Sequence, residues 1–193
     1  MRKLFILSLL VFFTLLAFAQ NQVSFSLKYP SLEQSPMHMI YFPDNYPMNK
    51  TQSRIAEPAI ARIIYCRPQK NQRVIFGDLI EYGKVWRLGA NEATELELFK
   101  EVYIGGKKIP KGRYTLYAIP NPKEWTIIIN KDTDSWGAFI YDEKKDILRI
   151  DEPVHNLPAQ VEVFTMNFEN TSSGANLVMS WENARVSLAV SVK

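Results

Sequence analysis

The sequence is poor in the residues that build disulfides and metal sites. It has one cysteine, Cys66, and two histidines, His38 and His155. A single cysteine excludes an intrachain disulfide, and these three residues have no zinc-ligand spacing. A D-x-D-x-D-G calcium loop, a P-loop and a G-x-S-x-G nucleophile elbow are also missing from the sequence. We therefore expect no metal and no cofactor, and we interpret Cys66, which lies in an apolar run, as a buried hydrophobe.

The chain also lacks a strong excess of charge of either sign. Its 23 Lys and Arg residues face 20 Asp and Glu residues, and two of the basic residues, Arg2 and Lys3, lie at the N-terminus. A nucleic-acid-binding protein needs a basic surface that displaces counterions from phosphates. The balanced charge therefore argues against a nucleic-acid partner.

Only one long apolar run is present, from Leu4 to Leu16, and Ala17-Phe18-Ala19 follows it. A short basic start, an apolar core and a small-x-small end are typical of a secretory signal peptide. The run is shorter than the roughly 20 residues that span a bilayer, and no cysteine follows it that would anchor a lipoprotein. The pattern predicts a signal peptide over residues 1–19, cut after Ala19. A periplasmic or secreted protein with no integral membrane segment would result.

Residues 20–57 are rich in Pro, Ser, Asn and Met and have no sustained hydrophobic period. Proline discourages helix at the residue before it. This composition predicts an extended or partly disordered N-terminal arm ahead of a domain over residues 58–193.

The domain after Pro58 consists of short β-branched and aromatic runs separated by turn residues. In Thr94–Phe99, Leu96 and Leu98 alternate with glutamates, as in a half-buried strand, and Gly105-Gly106 is typical of a two-residue hairpin turn. Further predicted strands include 74–76, 135–141, 161–168, 175–181 and 184–192. No amphipathic helix is evident. About ten strands predict a single all-β domain, an antiparallel β-sandwich or a flattened barrel.

The residues with the most varied chemistry lie in one stretch, Tyr82–Thr94, which reads Y-G-K-V-W-R-L-G-A-N-E-A-T; we call it the central segment. A bend at Gly89 would present Arg87 and Asn91 together. The guanidinium suits a carboxylate or phosphate, the amide would orient a ligand, and the indole of Trp86 offers a stacking surface for a sugar or other flat ligand.

Four further residues are candidates for the same site. Glu92 would orient the arginine or accept a hydrogen bond from a hydroxyl, and Arg67 ends a predicted strand with a second guanidinium. Trp136 and Tyr141 supply aromatic surface, although core packing is the commoner role of such residues. The segment predicts a binding site for a small polar molecule, a glycan or a short peptide end.

Two alternatives remain open. A purely structural or protein-interaction domain would neutralise Arg87 with Glu92 or Glu95, and would leave no pocket beside the arginine. An envelope hydrolase or isomerase would need two carboxylates around one substrate bond, drawn from Glu92, Asp78 and Glu95. The sequence does not say whether any two of them converge.

Several motifs together resemble one known family, an exported bacterial domain of unknown function 2911. They are Y-x-R-P at Tyr65–Pro68, I-F-G-x-L at Ile75–Leu79, the central segment, P-x-G-x-Y at Pro110–Tyr114, D-x-L-R at Asp146–Arg149 and W-E-x-x-R-V at Trp181–Val186. The resemblance covers about Ala59 to the C-terminus. It implies one all-β domain behind a signal peptide, commonly from Bacteroidetes-like bacteria, and assigns no activity. Cys66 departs from the small polar residue expected at its position.

Overall fold

The computed structural model describes residues 31–52, 54 and 57–192. Within this part of the chain, ten strands and two short helices form. The strands are β1 (Met37–Phe42), β2 (Ala61–Cys66), β3 (Thr94–Leu98), β4 (Val102–Ile104), β5 (Lys107–Ile109), β6 (Gly112–Pro120), β7 (Glu124–Asn130), β8 (Asp146–Pro153), β9 (His155–Thr171) and β10 (Gly174–Ser191). The helices are α1 (Tyr46–Thr51) and a 3₁₀ turn at Glu143–Lys145.

The strands pair antiparallel in two sheets that do not close into a barrel, which confirms the sandwich. One sheet has six strands in the order β1-β2-β3-β6-β7-β8, and the other has four in the order β5-β4-β10-β9. Because side chains alternate along a strand, Leu96 and Leu98 enter the core at 4% and 1% exposure, while the alternating Glu95 and Glu97 lie on the other face and are partly exposed. Within the described residues, no helix is long and apolar enough to span a membrane.

An aromatic cluster fills the core at one end of the sandwich. The rings of Trp86 and Trp181 are stacked, with centroids 6.0 Å apart and planes at 21°, and Trp125 meets Trp86 edge-on at 5.7 Å. Phe76 and Phe164 complete the cluster. Both sheets contribute to it, since Trp125 lies on β7 and Trp181 on β10. Because Trp86 belongs to the central segment, these ring contacts hold the segment against the core.

The sandwich begins earlier than the predicted boundary at Pro58. Strand β1, inside the predicted arm, pairs with β2 along its whole length, from Met37 opposite Cys66 to Phe42 opposite Ala61. Phe42 is 5% exposed and stacks on Phe168 of the other sheet at 5.5 Å. The sequence did not predict this strand, because four prolines are scattered through the region and no sustained hydrophobic period is present. The predicted signal peptide and residues 20–30 lie outside the described residues.

Two predicted strands are loops. Residues 74–76 make only an isolated bridge between Phe76 and Ile80. Residues 135–141 follow left-handed backbone at Asp134 (φ 59°) and contain a second such turn at Gly137 (φ 67°), so the segment cannot extend. It belongs instead to a loop, residues 131–145. The buried Asn130 fixes the path of this loop by donating a hydrogen bond to the Asp142 carbonyl (3.0 Å).

In the structure, two long strands, β9 and β10, replace the last three predicted strands. The break predicted between residues 181 and 184 is a pair of register shifts within β10, on either side of Glu182, which has φ 53°. Such bulges bend a strand without ending it. The hairpin turn predicted at Gly105-Gly106 is confirmed, with positive φ at both glycines joining β4 to β5.

Candidate functional site

The central segment is a bent loop that leads into β3. Trp86 exchanges backbone hydrogen bonds with Ala118 of β6 (2.7 and 2.9 Å), which fixes the start of the bend. Thr94 closes it, because its amide donates to the Arg87 carbonyl (3.1 Å) and its hydroxyl to the Leu88 carbonyl (2.5 Å). The segment is therefore held at both ends by the six-stranded sheet.

Three residues in the bend have positive φ: Leu88 at 52°, Gly89 at 157° and Asn91 at 56°. The bend predicted at Gly89 is present. A side-chain Cβ on Gly89 would stand 2.9 Å from the Cys66 carbonyl oxygen, so glycine allows the segment to approach β2 closely.

A cavity of about 400 Å³ opens beside the first half of the segment; we call it the arginine cavity. Its charged lining residues are Arg73, Lys84, Arg87 and Glu81, and Trp86 and Trp181 form part of its wall. Three cationic side chains thus face one carboxylate. The arrangement favours a ligand that carries negative charge.

Arg87 is the half-buried cation of this cavity. Its Nε is buried without a hydrogen-bond partner, and burial lowers the pKa of the guanidinium, which stays charged because an arginine pKa lies far above neutrality. Among the residues that the structure describes, Arg87 forms no ion pair. The carboxylates that the structural alternative assigned to it are engaged elsewhere: Glu95 pairs with Arg113, and Glu92 accepts from the Cys66 thiol (3.7 Å).

The indole of Trp86 does not offer the open stacking face that the sequence suggested. It is 6% exposed, one face lies against Trp181, and its N–H donates to the Gly89 carbonyl (3.1 Å). Trp86 therefore forms part of the core and contributes a narrow strip to the cavity wall.

A second cavity, of about 380 Å³, lies beside the other half of the segment. Glu92 and Trp136 meet there, because their backbones form an isolated bridge and the Ala93 amide donates to the Ser135 carbonyl (2.9 Å). Glu95 also lines this cavity. We call it the carboxylate cavity. Four of the seven predicted site residues are thus divided between two cavities on the two halves of one segment.

The other three predicted residues line neither cavity. Arg67 ties the end of β2 to β9, donating to the Phe164 carbonyl (3.2 Å) and the Thr165 hydroxyl (2.9 Å). Asn91 lies beside the Glu33 carboxylate, and the Ser35 amide and then Asn91 lower the pKa of that carboxyl group. These contacts hold the segment and its neighbours in position.

Tyr141 belongs to a separate cluster on the loop of residues 131–145. Its hydroxyl donates to Asp146 (2.5 Å), and Arg149 donates to the hydroxyl (3.3 Å). Burial, and then the Asp146 carboxylate, raise the tyrosine pKa. The ring meets Tyr117 edge-on at 5.2 Å, so Tyr141 serves to cover the six-stranded sheet.

Cys66 is buried, in agreement with its sequence context. Burial, and then the neighbouring Glu92 carboxylate, raise the pKa of its thiol to about 11. A thiol with so high a pKa is protonated at neutral pH and is a poor nucleophile. Within the described residues, no three His, Cys, Asp or Glu side chains are grouped as a metal ion would require.

Sequence reasoning missed several contributors to the cavities, among them Lys84, Arg73 and Ser135. Lys84 lies two positions before Trp86 in the central segment. This spacing could have predicted that Lys84 lines the same cavity. Arg73 reaches the arginine cavity from a loop after β2, and Ser135 reaches the carboxylate cavity from the loop after β7. For these two residues the sequence carries no signal, because only the tertiary fold brings their loops to the segment.

The fold and the two cavities define an all-β sandwich domain with charged cavities along one bent segment. Residues 46–190 match the family described as Protein of unknown function (DUF2911). The chain belongs to this family, and the resemblance is confirmed. Nothing among curated proteins or solved structures matches the chain.

Proposed function

We propose that the domain binds a small organic anion, such as a sugar acid or the carboxylate end of a peptide, in the arginine cavity. The observation that carries the proposal is the Arg87 guanidinium, half-buried beside a cavity with no carboxylate paired to it in the described part of the chain. A buried cation without a partner is costly. A ligand oxyanion would supply the missing partner.

The surroundings of Arg87 support an anionic ligand of modest size. The planar guanidinium can hold two oxygens of one carboxylate, and the exposed Lys84 adds positive charge at the same cavity. Glu81 offers an acceptor for a ligand hydroxyl. A cavity of about 400 Å³ lies within the usual size range of small-molecule sites.

The structural alternative is less consistent with these contacts. It requires Arg87 to be neutralised within the fold and to have no cavity beside it. Arg87 instead lines a cavity, and both carboxylates assigned to it have other partners.

The enzymatic alternative has one supporting observation, since Glu92 and Glu95 share the carboxylate cavity. Asp78 lines neither cavity. Acid–base catalysis needs one carboxyl group to donate a proton and another to accept one. Because the Glu95 carboxylate is already engaged in an ion pair with Arg113, we rank ligand binding ahead of catalysis.

The proposal is tested by thermal unfolding with matched ligands at constant ionic strength. Glucuronate and glucose have similar shape but differ by a carboxylate, and succinate and phosphate extend the set. A ligand that binds only the native state raises Tm, so we expect glucuronate or another anion to raise Tm, with no effect of glucose. Arg87→Ala should abolish this rise.

Arg185→Ala is the matched control, because Arg185 is a surface arginine paired with Glu169 (2.7 Å) and lines neither cavity. It should keep the response of the parent. Equal effects of glucose and glucuronate, or an unchanged response in Arg87→Ala, would contradict the proposal.

We also propose that the chain is exported, on the evidence of the signal-peptide pattern in residues 1–19. Cleavage after Ala19 would release a protein that begins at Gln20. N-terminal sequencing of the protein recovered from a periplasmic or culture fraction measures this directly. A mature protein that still begins at Met1 would refute export by this signal.

A further inference from the structure

The carboxylate cavity has the opposite charge to the arginine cavity. Three carboxylates line it, those of Glu92, Glu95 and Asp134, and no Lys, Arg or His residue does. One guanidinium, that of Arg113, bonds both Glu95 and Asp134. Glu92 is left without a cation in the described part of the chain.

The nearest partner of Glu92 is a neutral group. The Cys66 thiol donates to its Oε2 across 3.7 Å, and the thiol pKa of about 11 keeps that group uncharged at neutral pH. A sulfur donor contributes a weak hydrogen bond and no compensating charge. The carboxylate therefore retains its capacity to accept from a ligand.

A second observation in the same cavity also points to a hydrogen-bonding ligand. Ser135 is 5% exposed, lines the cavity, and has a buried Oγ without a hydrogen-bond partner. The hydroxyl of Tyr117 approaches it without meeting hydrogen-bond geometry. Buried polar atoms are normally satisfied, and a donor in the cavity would satisfy this oxygen.

The rest of the lining is mostly apolar and includes two aromatic side chains. Trp136 lines the cavity and is 59% exposed, and Tyr65 lies at its inner side. An exposed indole attracts a cation to its face, and more strongly than the other aromatic side chains do. Carboxylate, hydroxyl acceptor and indole are the groups that recognise an ammonium ion attached to an apolar body.

We infer that the carboxylate cavity is a second binding site, which takes the primary ammonium group of a small organic amine. The ammonium donates to the Glu92 carboxylate and to Ser135 Oγ, and its alkyl chain packs against Trp136. This inference is independent of the anion proposed for the arginine cavity, since different side chains carry it.

The fluorescence of the protein gives a direct test. Of its four tryptophans, Trp136 is 59% exposed, whereas Trp86, Trp125 and Trp181 are 6%, 1% and 1% exposed. Quenching by acrylamide therefore reports mainly on Trp136. We expect n-butylammonium chloride to protect the fluorescence from acrylamide in a saturable manner, whereas sodium chloride and sodium butyrate at the same ionic strength do not.

The variants separate the two sites. Glu92→Gln should raise the half-saturating butylammonium concentration about tenfold, the effect of losing one charge-assisted hydrogen bond, and Ser135→Ala should raise it by a smaller factor. Glu124→Gln is the matched control, because Glu124 is exposed and lines neither cavity. Arg87→Ala should also bind the amine like the parent.

Three results would overturn the inference. One is equal quenching of the parent in butylammonium and sodium chloride. Another is an unchanged half-saturating concentration in a folded Glu92→Gln variant, with folding verified by circular dichroism. The third is loss of amine binding in Arg87→Ala, since that would show a single site instead of two.

Discussion

At the scale of single residues, Arg87 differs from the other arginines near the central segment in its hydrogen-bond and ion-pair partners. Arg67 is held by a carbonyl and a hydroxyl, and Arg113 by two carboxylates. Arg87 has a buried Nε with no acceptor and no ion pair among the described residues, whereas Arg62, whose Nε is also unpaired, is neutralised by Glu97. Side chains that serve ligand binding are commonly kept at some cost to stability.

This difference predicts the effect of Arg87→Ala on stability. We expect the free energy of unfolding to stay within about 1 kcal/mol of the parent, because the substitution breaks no ion pair. Breaking a buried pair would cost about 3 to 5 kcal/mol. Urea unfolding followed by circular dichroism measures the change.

Leu88→Ala, at the adjacent fully buried residue, is the positive control for that measurement. It should cost about 3 to 5 kcal/mol, the usual range for a buried leucine. A comparable loss in Arg87→Ala would mean that the arginine serves the fold.

Individual residues also show how far the sequence could predict the site. The types in the central segment indicated a polar site there, and the bend at Gly89 followed from its glycine. The ion-pair partners of the charged residues were not predictable, because they depend on strand register. Glu97 lies opposite both Arg62 and Arg113 and pairs with Arg62, which leaves Arg113 to reach Glu95.

At the scale of secondary-structure elements, the central segment depends on a close approach between two backbones. Gly89 stands so near β2 that a Cβ would lie 2.9 Å from the Cys66 carbonyl oxygen, whereas Gly83, also at positive φ (72°), has open space around it. Substitutions at these two glycines therefore distinguish the cost of backbone strain from the cost of a steric clash.

We predict that Gly89→Ala lowers the free energy of unfolding by about 3 kcal/mol, since it adds a backbone clash to conformational strain. Gly83→Ala should cost about 1 kcal/mol, from strain alone. Chemical unfolding of both variants measures the difference. Equal costs would show that the segment moves away from β2 without penalty.

Elements with a clean period were predicted well and the others were not. The alternation in β3 and the Gly105-Gly106 turn are local features, so the sequence contains them in full. The loop of residues 131–145 resembles a strand in composition, but a hydrogen bond from Asn130 to the Asp142 carbonyl, twelve residues along the chain, and left-handed backbone at Asp134 determine its path. The bulges at Glu182 likewise depend on pairing with β9.

At the scale of the whole molecule, strand β1 joins the two sheets through one side chain. Phe42 lies on an edge strand of the six-stranded sheet and stacks on Phe168 in β9 of the other sheet. The region predicted as an arm therefore pairs with the sheet from Met37 onward and enters the core at Phe42.

We predict that Phe42→Ala lowers the free energy of unfolding by about 3 to 5 kcal/mol, as expected for a buried phenylalanine. Met39→Ala, in the same strand at 43% exposure, should cost less than about 1 kcal/mol. Equilibrium unfolding in urea provides both values. A Phe42→Ala variant as stable as the parent would show that β1 docks without contributing to the core.

The stacked pair of Trp86 and Trp181 gives the sandwich an optical property. Trp86 is attached to β6 of one sheet by backbone hydrogen bonds, and Trp181 belongs to β10 of the other. Indole transitions 6.0 Å apart couple electronically, and the sign and size of the resulting dichroic couplet depend on the angle between the rings. Trp125, 5.7 Å from Trp86 and on the same sheet as β6, adds a coupling within one sheet. The part of the couplet that comes from Trp86 and Trp181 depends on the alignment of the two sheets beside the arginine cavity, and it is lost when the layers separate, whether or not the individual strands persist.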